Sequence, residues 1–171
     1  MRRAGLTFCA CLILLGGVVF GQATRASGDG NGIFKATLLG IDEVPSVNSP
    51  GTATLRLRLH TSFIDFELRY ANLTLPPVAA HIHFSERHVA GGVMVFFCGG
   101  GGKPACPSAT SGTISGTITA SDVIGPQAQG VSVGDLAAVE RAIRSDAAYA
   151  NMHTVNFPSG EIRGQIGDHD D

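Results

Sequence analysis

The sequence predicts an all-β domain: an antiparallel Greek-key β-sandwich or barrel of about seven to eight strands with one short helix. Three observations carry this. Short segments alternate apolar and polar residues at period two. Clusters of Gly, Pro, Asn and Ser separate them. Only one stretch has helical spacing. Glycine fits this picture at 23 of 171 residues, roughly twice the usual ~7%, with no collagen-like period.

The elements follow in chain order. Arg2 and Arg3 precede an apolar run from Ala4 to Phe20, and Gly21 and Ala23 supply small residues at its end. This is the layout of a secretory signal peptide, residues 1–23. The run is short of the ~20 apolar residues that span a bilayer, so no membrane span is expected after cleavage. Residues 24–32 read as a flexible lead, 33–166 as the β domain and 167–171 as an acidic tail. The expected location is secreted or extracellular, periplasmic in a bacterium. Cleavage removes two of the 12 basic residues and none of the 14 acidic ones, leaving ten against 14 and a net charge of −4.

Ile33 to Ile41 reads as a strand, followed by turns at Asp42–Pro45 and Asn48–Gly51. Thr54 to His60 alternates leucine with polar residues, and Ile64 to Tyr70 alternates again, so the two form a hairpin. Ala79 to Phe84 is a further strand. Gly92 to Cys98 is apolar throughout and reads as buried on both faces. Cys98 and Cys106 are expected to pair in an oxidising compartment, enclosing GGGGKPA as a flexible loop. Ser111 to Ala120 is a glycine- and threonine-rich strand. Asp135 caps a helix running to Ala147, with Leu136, Val139 and Ile143 on one stripe. Tyr149 to Val155 and Glu161 to Ile166 complete the strands.

Several functions find no support. There is no basic excess for a nucleic-acid partner. GGGG at 99–102 lacks the Lys-Ser/Thr ending of a phosphate loop. No serine sits in G-x-S-x-G, and no paired carboxylates are evident, so no catalytic residue is assigned. Arg56, Arg58, Arg69 and His60, mixed with Asp65 and Glu67, read as a solvated face. It offers an extracellular protein or glycan as partner, without help from the overall charge. Asn72-Leu73-Thr74 is a glycosylation sequon in a eukaryotic host.

The histidines are the most informative residues. His81 and His83 lie at i and i+2 of one strand and share a face. Ala80, Ile82 and Phe84 occupy the core phase, so the imidazoles point away from it, into solvent or a loop-covered pocket. His153 is a third candidate if its strand is a neighbour. His88 is placed to close over the site, with Glu86 and Met94 as weaker donors. Two readings stand. Three imidazoles suit copper or zinc. Alternatively the histidines join Glu161 and Arg163, which share a strand face, in one structural polar network that binds nothing.

The stretches FKATLLGIDEVPSV (34–47), AAHIHF (79–84), YANMHT (149–154) and FPSGEIRGQI (157–166) resemble the CHRD domain, first recognised in chordin. The resemblance covers Ile33 to Ile166. It implies a secreted β-sandwich or Greek-key barrel and no established general activity, so the expected function is a non-enzymatic binding or structural module. Carried over by motif, Glu43 and Pro45 belong to the E-V-P turn, His81 and His83 to H-I-H, His153 and Thr154 to H-T, and Glu161, Arg163 and Gln165 to the G-E-I-R-G-Q strand. Phe84-Ser85-Glu86 departs from the Gly that follows H-I-H in many members. The pattern is also similar to copper-zinc superoxide dismutase in its barrel, its His-x-His pair and a later third histidine. The bridging histidine and zinc loop are missing, so a redox function is the alternative only in a copper-only form.

Overall fold

The computed structural model describes Met1 and residues 32–168. The expected signal peptide, residues 24–31 of the lead and the last three residues of the tail lie outside the described residues. Eight strands form one antiparallel sheet: β1 (Gly32–Leu39), β2 (Thr52–Leu59), β3 (Ile64–Ala71), β4 (Pro77–Phe84), β5 (Gly92–Cys98), β6 (Gly112–Ile118), β7 (Ala148–Thr154) and β8 (Ile162–Gln165). The single helix among the described residues, α1 (Leu136–Arg144), lies between β6 and β7.

The strand order is β5-β4-β7-β8-β1-β2-β3-β6. The meander β1-β2-β3 is joined to β4 by a crossover, and β8 returns between β7 and β1. The sheet rolls into a near-closed barrel. Strict alternation explains why. Leu55, Leu57 and Leu59 of β2, with Ile64, Phe66 and Leu68 of β3, turn inward and are buried, while their neighbours face out. Ile82, Val95, Met152 and Ile162 fill the interior from other strands, and Ile166 joins them just past β8. At the seam Phe66 packs on Phe97, ring centroids 4.7 Å apart, and ties β3 to β5. The outer face of β2 and β3 sets Arg56 opposite Glu67 and Arg58 opposite Asp65, so its charges alternate in sign instead of forming a basic patch.

Asp135 caps α1 by accepting from the Ala138 N–H at 2.9 Å. Leu136, Val139 and Ile143 are its buried stripe. Cys98 and Cys106 form a disulfide.

Four expectations need correction. The first strand stops at Leu39, because Gly40–Asp42 tighten into a 3-10 turn. β5 is not buried on both faces: Val93 and Phe96 remain half-exposed on the outer side. The cystine loop has a packed part. A Cβ on Gly101 would stand 2.8 Å from the Phe96 ring, so only bare backbone lies flat against that ring. Gly167, expected in the tail, exchanges both backbone hydrogen bonds with Lys35, at 2.8 and 3.0 Å.

Candidate metal centre

β4 and β7 pair antiparallel with His81 opposite Asn151, His83 opposite Tyr149 and Ala79 opposite His153. Cross-strand and diagonal neighbours on one face come within side-chain reach, so this register gathers His81, His83, His153 and Asn151. They lie on the outer face of the barrel. His81, His83 and Asn151 are nevertheless buried. The loop after Phe84 and the turn after Thr154 cover them, as the contacts of Gly91 and Pro158 show.

One nitrogen from each of His81, His83 and His153 lies within 4.8 Å of the other two. His81 Nδ1 is 2.7 Å from His83 Nε2. Two of the other ring nitrogens are committed. His83 Nδ1 donates to the Gly91 carbonyl at 2.8 Å, and His153 Nδ1 donates to the Pro158 carbonyl at 3.0 Å. A neutral imidazole carries one N–H, so both rings turn an Nε2 lone pair toward the centre. Backbone carbonyls that fix tautomer and ring orientation in this way are the usual outer partners of metal-binding histidine. His153 Nε2 is buried without any hydrogen-bond partner.

Electrostatics keep the rings neutral. Burial, followed by the nearby His83 and His153, pushes His81 down to about 3. Burial also lowers His83 and His153. Neutral imidazole is the form that binds metal.

A layered stack supports the cluster. Tyr149 lies flat on His83 at 4.6 Å, and the Arg163 guanidinium sits 3.4 Å from the centre of the Tyr149 ring. Arg163 Nη2 donates to the Glu86 and Val89 carbonyls at 3.1 and 2.9 Å, which holds the covering loop down. Gln165 extends this by donating to the Ser85 carbonyl at 3.1 Å. Glu43 is buried behind Asn151. Burial raises its carboxyl to about 7, against the Val44 N–H, the Arg163 charge and the Asn151 amide, which lower it. Gly160 makes room for it, since a Cβ there would overlap the Glu43 carboxylate.

The expected single network of Glu161 and Arg163 with the histidines does not form. Glu161 precedes β8 in a bend, so it does not share the face of Arg163. Its carboxylate turns to one end of the barrel and accepts from Ser49 Oγ (2.6 Å), Thr74 N (2.8 Å), Thr74 Oγ1 (2.8 Å) and Thr154 Oγ1 (2.6 Å). Burial raises that carboxyl, and these donors outweigh it to hold it below its ordinary range. His88 is also corrected. It sits exposed in a turn at φ +62° and is not among the three gathered histidines. Glu86 contributes its carbonyl, and Met94 is fully buried. Asn151 is the participant that motif reading passed over. Its position opposite His81 was the available signal, visible only once the two strands are placed in register.

No curated protein and no solved structure matches this chain. Among the described residues no helix is long and apolar enough to cross a membrane. Residues 34–166 match the CHRD domain, the segment that builds both the barrel and the covered histidine cluster, and the chain therefore belongs to the CHRD domain family.

Proposed function

We propose that this chain is a secreted CHRD module that binds one transition-metal ion, copper or zinc, through His81, His83 and His153. The CHRD fold is consistent with a non-enzymatic binding or structural module, and metal binding gives that module a specific ligand. The observation that carries the reading is the convergence of three ring nitrogens within 4.8 Å, two of them with their other N–H held by a backbone carbonyl. A structural network would instead pair each buried nitrogen with a donor or acceptor, and His153 Nε2 has neither. Secretion rests on the 1–23 signal layout together with the Cys98–Cys106 disulfide, which suits an oxidising compartment. Asn72 is exposed beside β3 and would carry the glycan in a eukaryotic host.

Titrating chelator-treated protein with copper(II) and with zinc tests the reading. One saturable ion per chain at neutral pH is expected, lost in the H81A/H83A double variant. A wild-type chain with no saturable site ends it. Amino-terminal sequencing of the exported protein is expected to begin at Thr24.

A further inference from the structure

We propose, resting on the three-histidine reading above, that Asn151 Oδ1 is the fourth donor of the centre, completing a three-nitrogen, one-oxygen set for a divalent ion. Asn151 is 3% exposed and stands opposite His81 in register. Its Oδ1 lies 3.1 Å from His83 Nε2. Neither atom brings a proton. The single N–H of the neutral His83 ring is spent on the Gly91 carbonyl, and an amide oxygen only accepts. His81 can place one proton between its Nδ1 and His83 Nε2, 2.7 Å away. That same proton is the only one His81 has to offer Oδ1, and the buried His153 Nε2 has no partner at all. Four lone-pair atoms sharing at most one proton are an arrangement that a cation resolves.

The amide oxygen is placed by the register of β7 against β4 and by its contact with His83.

The donor set also selects. An oxygen among imidazoles suits zinc or copper(II), whereas copper(I) favours sulfur. Four protein donors fill a tetrahedral zinc shell, the pattern of a centre that holds its ion, not of one that keeps a position open for substrate.

The test combines a crystal structure of the zinc-loaded wild-type chain with cobalt(II) titrations of wild type, Asn151→Ala, Asn151→Asp and His153→Ala. Oδ1 is expected about 2.0–2.2 Å from zinc. Asn151→Ala is expected to weaken cobalt binding at least about tenfold, no less than the loss of an outer partner, and to shift its visible spectrum. Asn151→Asp, which keeps an oxygen in place, is expected to retain the wild-type spectrum. The proposal is overturned if zinc is bound by the histidines with Oδ1 beyond about 3 Å, well outside the bonding range. It is equally overturned if folded Asn151→Ala matches wild type in affinity and spectrum. Those results leave the three-histidine reading standing. Failure of the wild-type chain to take up either metal, or wild-type cobalt affinity in His153→Ala, overturns that reading and this one with it.

Discussion

Two buried polar clusters draw on β7 and on the segment that forms β8, and they are built in opposite ways. Around Glu161, every strong acceptor has its donors: two hydroxyls and a backbone N–H meet one carboxylate oxygen or the other, and a third hydroxyl completes the set. Around His81, His83 and His153, acceptors converge and donors are spent elsewhere. Both clusters cost desolvation. The first recovers it within the chain and binds together the segments leading into β2, β4 and β8 with the end of β7. The second leaves part of it unrecovered, as the proposed ligand site would and a structural knot would not.

The sharpest way to break this comparison is to remove Glu161. Glu161→Ala strands several buried donors and is expected to cost about 4 kcal/mol in chelator-treated protein by urea denaturation, while zinc affinity of the folded fraction stays unchanged. An equal loss from His153→Ala without metal would erase the distinction, since that side chain gives up one hydrogen bond, to the Pro158 carbonyl, and its Nε2 has no partner to lose.

Acid is expected to act on the histidine cluster next. Burial lowers all three histidines in the folded state, so the unfolded chain takes up protons first. The stability they contribute is complete above the unfolded value near 6.5 and is lost as pH falls toward about 3 for His81. Glu43 opposes this. Its raised value means that its contribution is present below 4.5 and lost as pH rises through about 7. With three groups against one, metal-free protein is expected to lose a few kcal/mol between pH 7 and pH 4. Denaturation midpoints that hold steady or rise over that range would contradict the sign.

Arg163 sharpens the comparison from the loop side. Arg163→Lys keeps the charge but loses the planar fork and the stacking on Tyr149, and about 2 kcal/mol is expected. Faster hydrogen exchange confined to residues 85–91 would locate the effect, and exchange spread evenly over the barrel would argue against it. The smallest change sets the scale. Asp135→Ala removes the α1 cap at a cost of about 1 kcal/mol by the same denaturation assay, without altering zinc affinity.

The barrel was largely legible because period-two alternation is a local signal. Leu55, Leu57 and Leu59 announce their inward face without help from any other part of the chain. His81 and His83 were legible for the same reason, and His153 through the strand that carries it. What covers them was not. The burial of Asn151 and Glu43 depends on the loop at 85–91 and the turn at 40–45 folding over an outer face, and nothing in the period of β4 or β7 encodes that. Glu161 misled because spacing places it in phase with Arg163, whereas the bend before β8 rotates it to the end of the barrel. The glycines at 100 and 101 read as slack until Phe96 is seen beneath them.

The seam of the barrel carries a consequence for how copies of this chain meet one another. β5 and β6 are the two edge strands, and a bare edge invites a strand from another molecule. Here the disulfide-closed loop delivers Lys103 to that edge. Its ammonium takes the Thr117 carbonyl of β6 at 2.9 Å and pairs with Asp122 at 2.9 Å. A carbonyl already bonded, beside a fixed charge, is a poor template for a foreign strand. The short loop closed by Cys98 and Cys106 thus places a fixed charge at the seam, one of the devices by which sheet edges are made poor templates for pairing.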